Sequence, residues 1–444
     1  MIGPDGKGVS GNAAINRAMS LLRRVTSRLD GEVERRTDFD EATRVTLTPE
    51  GQDSPREWVL ISYILEPFLL PSWDQVSNAH TNQWESLQMA RTFLELGFGV
   101  DVISYRNRTF VPKRDYRLFI GARTNFERLA GQLPDTCIKV AHLDTAHWMT
   151  NKANAYRRVL GIKERRGIAV DLPRKVVEPN WALEAAHYGT VLGNEFTAAS
   201  YEYAGKPVFR LPLPSAQTFD WPEGKSFAEA RRKFVWFGSD GLVHKGLNLA
   251  LEAFAQLPEL ELYVCGPIDE EPRFREAFRR ELFELPNIHT VGWVDIAGEE
   301  FRRVVSECAF LLYPSSAEGG GGSVITAMQA GLIPVVTREA SVDVAPGFGV
   351  ELAEDSVESI IRTARDLAAR PAPELEAMAR RAREVAREFY TRERYSREFR
   401  QLMVRLLELG PRPGGEVVEE ARAQRAALAA AMRAPRDQEL IDQP

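Results

Sequence analysis

Cys308-Ala-Phe-Leu-Leu-Tyr-Pro-Ser-Ser-Ala-Glu318-Gly-Gly-Gly-Gly-Ser323-Val-Ile-Thr326-Ala-Met-Gln-Ala-Gly331-Leu-Ile-Pro334-Val-Val-Thr337 is the stretch on which the reading of this chain turns. An apolar run of buried-strand type enters a polar turn, where one carboxylate precedes four consecutive glycines. A helix of small and apolar residues follows, and then a second apolar strand. Glycines at a strand-to-helix turn leave backbone N–H groups uncovered, and the helix start adds partial positive charge, which suits a phosphate or diphosphate. Glu318 beside such a site would be repelled by a bare anion, so the ligand is expected to carry hydroxyls as well, from which a carboxylate accepts. A sugar nucleotide meets both demands. The alternative is a flexible glycine loop with no ligand.

Outward from this stretch the pattern of strand, helix, strand repeats in two series. Phe234–Gly238, Leu260–Cys265, Ile288–Trp293, Ala309–Pro314 and Ile333–Thr337 read as strands, separated by helical stretches such as Leu247–Gln256 and Pro272–Leu285. An earlier series holds Trp58–Ile64, Val100–Tyr105, Tyr116–Gly121, Ile138–Leu143 and Thr190–Gly193, with a helix over Trp84–Leu96 stopped by Gly97. Such alternation predicts an α/β protein with two doubly wound, Rossmann-like parallel sheets. The cleft between them faces the carboxyl ends of the strands. Pro207, Pro212, Pro214 and Pro222 punctuate the crossing. The domains are therefore drawn at 57–215 and 216–409. An extension precedes them over 1–56, whose stretch from Thr37 to Arg56 reads as loose. A tail over 410–444 reads as a mobile helix or disordered.

Bulk composition sets bounds on function. The length of 444 residues calls for two domains, and 44% hydrophobic with 27% charged residues is ordinary for a soluble globular protein. A formal net charge of −6 argues against a general nucleic-acid binder. Cys137, Cys265 and Cys308 are widely scattered and read as core residues of a reducing compartment. With no secretory pattern at Met1 and no membrane-spanning run, a cytoplasmic location is expected. Ile15, Met19, Leu22, Val25 and Leu29 recur at helical spacing among Arg17, Arg23, Arg24 and Arg28. A basic amphipathic helix over 15–29 can touch the inner membrane face or pack on a partner. No His/Cys/Asp/Glu cluster has metal spacing, and no Walker loop or Gly-x-Ser-x-Gly elbow occurs.

Four stretches in order carry a family resemblance: Phe237-Gly238-Ser239-Asp-Gly241-Leu-Val-His244-Lys245-Gly246, Val264-Cys-Gly266-Pro267, Val291-Gly292-Trp293-Val294, and Glu318 to Pro334. Over roughly 230–400 the chain resembles the C-terminal domain of the retaining glycosyltransferases of family 4 (group 1), which have the GT-B fold. In the first half, Asn78-Ala-His80-Thr81-Asn82-Gln-Trp84-Glu85-Ser86-Leu87, His142-Leu-Asp144-Thr-Ala-His147-Trp148 with Asn151, and Val191-Leu-Gly193-Asn194-Glu195-Phe196-Thr197 match more weakly. Two positions depart from the family. Gly238-Ser239 stands where Gly-Arg is usual, and Thr326 stands where a second glutamate grips the nucleotide ribose. Losing a charged hydrogen bond costs on the order of 1.5–3 kcal/mol, so altered donor binding follows, and a pseudoenzyme is an open alternative.

The resemblance implies roles. Lys245 would neutralise the departing diphosphate and Glu318 would hold the donor sugar's hydroxyls. Gly238, Ser239, Gly241, Gly266, Gly321, Gly322, Ser323, Val324 and Thr326 complete the donor site. His147 is the expected polar group on the acceptor side, with His142, Asp144, His80, Thr81 and Asn82 around it. The bland readings are a solvated lysine, a carboxylate at a helix start, turn residues and structural histidines. His244 is expected to be a turn residue. No cofactor is called for, since the nucleotide sugar is a substrate. The acceptor partner is a glycan, a lipid-linked sugar or a small molecule. Transfer would retain anomeric configuration without a metal. Rival classes are a non-catalytic binding protein, and an epimerase or phosphorylase on the same fold.

Overall fold

The computed structural model describes residues 43–51, 54–77, 81–171 and 177–434. The helix expected over 15–29, His80 and residues 435–444 lie outside them.

Two sheets form the two domains. The first holds β1 (Arg44–Leu47), β2 (Trp58–Tyr63), β3 (Gly99–Ser104), β4 (Tyr116–Gly121), β5 (Ile138–Leu143), β6 (Tyr188–Val191) and β7 (Val208–Arg210) in the order β1-β3-β2-β4-β5-β6-β7. The second holds β8 (Lys233–Phe237), β9 (Glu261–Cys265), β10 (Ile288–Thr290), β11 (Phe310–Tyr313), β12 (Ile333–Val336) and β13 (Val350–Glu351) in the order β10-β9-β8-β11-β12-β13. Every pairing is parallel except β1 with β3. Central strands such as β5 are buried along their whole length, which is why they read as unbroken apolar runs. Cys137, Cys265 and Cys308 are buried free thiols, in keeping with their expected place in the core.

The departures from the expected elements have physical reasons. Arg44–Leu47 lies in the stretch expected to be loose. It alternates in exposure, its Val45 and Leu47 lean on the core, and Thr46 donates to the buried Asp101 at 2.6 Å. A half-buried antiparallel edge strand needs only two apolar residues, too few to stand out. The expected strand over Ile288–Trp293 stops at Thr290, and the expected helix over Pro272–Leu285 breaks at Phe278.

Seven helices matter for the site: α1 (Thr81–Glu95), α2 (Trp148–Arg166), α3 (Leu247–Phe254), α4 (Gly322–Gln329), α5 (Ala372–Phe389), α6 (Arg392–Leu409) and α7 (Gly415–Arg433). After α5 the chain returns to the first domain. Tyr395 and Phe399 of α6 meet Trp84 and Phe93 of α1 edge-on. Helix α7 covers the edge strand β7, where Gln424 both accepts from the Arg210 N–H at 3.0 Å and donates to its carbonyl at 2.7 Å. A side-chain amide thus replaces the missing neighbour strand. Residues 392–409, expected with the second domain, therefore pack on the first, and the segment expected to be mobile holds a docked helix. Its apolar stripe, Val417, Ala421, Leu428 and Met432, is diluted by alanines, so composition hid it.

Topology places the cleft. In the first sheet the chain goes from β2 to β3 on one side, then crosses to β4 on the other. In the second it runs β8, β9, β10 outward and returns to β11 beside β8. At each reversal the two adjacent strand ends diverge and leave a crevice. The loops after β2, β4, β8 and β11 consequently face one another.

Candidate functional site

These facing loops enclose a cleft of about 740 Å³ between the domains. The second-domain wall takes Phe237, Gly238 and Ser239 from the end of β8 and Tyr313 from β11. Glu318 to Ser323 and Thr326 come from the glycine loop and α4, and Trp293 to Ala297 from the loop after β10.

Lys245 is buried on the turn before α3. Its ammonium donates to the Tyr313 hydroxyl at 2.8 Å and to Glu318 Oε1 at 2.9 Å. The same carboxylate oxygen accepts from Tyr313 at 2.9 Å and Ser315 at 3.0 Å. Burial first, and then the Glu318 charge, hold the Tyr313 phenol well above its ordinary range, so it stays protonated and can bridge the two. Three donors on an ammonium leave one N–H for a ligand.

Close approach explains the glycines that matter. A Cβ on Gly246 would sit 2.1 Å from the Pro314 carbonyl oxygen, at φ +77°. A Cβ on Gly319 would sit 1.9 Å from the Asp144 carbonyl oxygen, so this glycine lets the domains touch. Gly321, at φ +62°, is the residue from which α4 springs. The N–H groups of Gly320, Gly321, Gly322 and Ser323 make no hydrogen bond among the described residues, and they open toward the cleft at the start of an eight-residue helix.

The first-domain wall is made of Tyr63, Ser77, Thr81, Asn82, Glu85, Arg123 and Asp144. Arg123 adopts φ +61°, a left-handed conformation that costs a non-glycine residue energy and tends to mark functional positions. Its guanidinium binds Asp144 at 2.7 and 3.0 Å. Glu85 of α1 is fully buried, accepts from Tyr63 at 3.3 Å, and has His142 Nε2 at 3.4 Å.

Of the expected site residues, Gly238, Ser239, Lys245, Glu318, Gly321, Gly322, Ser323, Thr326, Thr81, Asn82 and Asp144 line this cleft together. The others stand elsewhere. His147 does not line the cleft: its Nδ1 caps α2 by accepting from Met149, its Nε2 meets the Tyr203 hydroxyl at 3.1 Å, and burial lowers its pKa. Gly241 is turned away, and its N–H, with that of Leu242, is taken by Glu271 at 2.7 and 3.0 Å. Gly266 packs on the Trp236 ring, where a Cβ would come within 2.7 Å. Val324 is in the core and its N–H bonds the Gly321 carbonyl at 2.9 Å. His142 lies beneath the cleft, bonded to the Thr190 hydroxyl at 2.9 Å, where it backs Glu85. His244 is buried and bonds the Ala317 carbonyl, steadying the loop that carries Glu318. Sequence reading gave no role to Tyr63 or Arg123, nor to Glu85, Trp293 and Tyr313, which lie within the stretches quoted from it. The usable signals were a polar Tyr63 and Arg123 just at or after apolar strands, and Tyr313 at a strand's last position.

Residues 231–370 match the model of the family described as Glycosyl transferases group 1. Over these residues the second domain is similar to that family. No curated protein matches the chain by sequence. Among solved structures, sucrose-phosphate synthase from Thermosynechococcus elongatus is 14% identical with a TM-score of 0.54, over 80% of this chain and 100% of that one. The Anabaena protein HepE, solved in complex with UDP-glucose, is 12% identical with a TM-score of 0.49, over 79% and 100% of the two chains. The likeness to the synthase shows the GT-B fold, as the sequence resemblance implied. Among the described residues no helix is long and apolar enough to cross a membrane.

Proposed function

We propose that the second domain is a group 1 glycosyltransferase domain that holds the nucleoside diphosphate of a sugar nucleotide, and that the cleft transfers the sugar to an acceptor hydroxyl with retention and without a metal. The observation that carries the reading is the row of unbonded N–H groups from Gly320 to Ser323 beside the Lys245–Glu318 pair. The N–H row and the third ammonium proton suit two phosphates, whose developing charge they stabilise as the bond to the anomeric carbon breaks. Glu318 suits the sugar's hydroxyls. A retaining course then forms the new C–O bond on the face the diphosphate leaves, the acceptor's proton passing to the departing phosphate oxygen. Thr81, Asn82, Arg123 and Asp144 would orient the acceptor.

One observation favours a non-catalytic reading instead. Lys245 is held by a carboxylate of its own chain, and Ser239 supplies no second cation where the family has arginine. Turnover decides. Incubated with a panel of nucleotide sugars, the full chain is expected to release nucleoside diphosphate from one of them, faster with acceptor present, and Lys245→Ala to release it far more slowly. Tight nucleotide binding with no release from any donor would favour the binding protein.

A further inference from the structure

Helix α2 carries its amphipathicity inside out. The face turned inward bears Asn151, Ala155, Arg158 and Ile162, and it bridges the domains: Asn154 donates to the Ser316 carbonyl at 2.9 Å, and Arg158 donates to the Pro314 carbonyl at 2.9 Å and to Asp355 at 2.6 Å. The face turned outward bears Met149, Tyr156 and Leu160, 56%, 47% and 55% exposed. Spaced seven and four residues apart, they form one stripe. The stripe continues past the helix start. Trp181, 51% exposed, meets Trp148 at 6.0 Å, and Tyr203, 58% exposed, meets His147 at 5.1 Å. Five of the ten large hydrophobic residues that the described chain exposes thus lie on α2 or against the residues at its start. Single exposed apolar residues need no explanation, but a contiguous patch implies a partner.

The margins of the stripe identify the partner. Lys152, Arg157 and Lys163 flank it, and none makes an ion pair among the described residues; Lys152 lies over the Trp148 ring at 5.5 Å, Glu164 is the only acid on this face of α2, and Glu184 accepts from the Tyr203 hydroxyl at 2.6 Å beyond the helix start. We infer that α2 docks on an anionic lipid surface, seating Met149, Tyr156, Leu160 and Trp181 at the headgroup level with the three cations against lipid phosphates. Tryptophan, tyrosine and basic side chains around an aliphatic stripe are what such an interface selects. A second copy of this chain is disfavoured because a twofold contact would set the same cations against one another. The basic segment over 15–29 is disfavoured by the same repulsion. The inference stands apart from the transfer reading.

Co-sedimentation of the full chain with vesicles tests it. Vesicles of phosphatidylcholine with phosphatidylglycerol are expected to carry the protein down, and pure phosphatidylcholine vesicles are not. Met149→Gln/Leu160→Gln and Lys152→Glu/Lys163→Glu are each expected to weaken partition by about tenfold or more with an unchanged melting temperature. Absence of binding to anionic vesicles would overturn the inference. So would binding that survives both double variants but is lost in Arg17→Glu/Arg23→Glu, which would assign it to the N-terminal segment. A concentration-dependent dimer in ultracentrifugation, abolished by Met149→Gln/Leu160→Gln without any vesicle binding, would assign the face to a second copy.

Discussion

The second-domain wall of the cleft draws its ligand-facing groups largely from one run of backbone, Gly319 to Ser323, whereas the facing wall collects Tyr63, Glu85, Arg123 and Asp144 from four separate elements. The first arrangement fits a ligand part that is the same whatever sugar it carries, a phosphate held by N–H groups that no side-chain substitution removes. The second fits a part that differs between enzymes, recognised by side chains that can be exchanged singly. The difference teaches where variation in such a protein is cheap. It also predicts how the two walls respond to damage.

The largest effect should come from the second-domain wall. Lys245→Ala is expected to lower turnover of the donor by about 10²–10³, the loss of roughly 2.7–4 kcal/mol typical of a group that stabilises developing charge. The acceptor's KM should hardly move. Initial-rate kinetics with both substrates varied would check this, and a rise in acceptor KM with kcat intact would blur the distinction between the walls.

A second test bears on how the walls meet. Gly319→Ala would drive its Cβ into the Asp144 carbonyl oxygen, which lies 1.9 Å from that position. Overpacking of this kind costs about 1–3 kcal/mol, read as a fall in urea midpoint, and it should lower turnover because the walls no longer close. Gly347→Ala, which meets nothing within 4 Å, is the matched control.

The second domain also has a pH dependence of its own. Lys225 donates to the Val305 carbonyl at 3.0 Å and to that of Gly331, just past α4, at 3.1 Å, and burial pulls its pKa down to about 7. Between pH 7 and the ordinary lysine range the unfolded chain binds a proton that the folded one does not. Stability therefore rises with pH across that window, by at most about 1.4 kcal/mol per unit, and is level below it. Urea unfolding at pH 7 and 9 should show this rise in the wild type and a smaller one in Lys225→Met.

On the first-domain wall the effects are smaller and separable. Arg123→Ala is expected to raise the acceptor's KM about tenfold, or roughly 1.4 kcal/mol, with donor affinity unchanged. His147→Ala should change kcat less than twofold and cost stability by about 0.5–1 kcal/mol, since its ring caps α2 outside the cleft. A large fall in kcat for His147→Ala would return that residue to the catalytic machinery.

Much of this was legible before the structure. The strands of both central sheets read as apolar runs because they are buried on both faces, and the second-domain wall read as a motif because its glycine loop is one contiguous run of sequence. What stayed hidden follows from the same physics. Arg123 and Glu85 carry no pattern in sequence, since only the crossing from β3 to β4 brings them to one crevice. His147 looked functional because a histidine after a strand is chemically capable, yet it faces the wrong side of its turn. Gly241 and Gly266 looked like donor glycines but serve a Glu271 contact and a tryptophan's edge. The docked α7 was masked by alanines, which bury well but read as neutral.

Calorimetric titration of nucleoside diphosphates into the full chain and into Lys245→Ala and Arg123→Ala would test the central claim most directly. The account predicts that one base class binds wild type and Arg123→Ala alike, and binds Lys245→Ala at least about tenfold more weakly. Loss of binding in Arg123→Ala with Lys245→Ala unaffected, or no heat from any nucleotide, would contradict it.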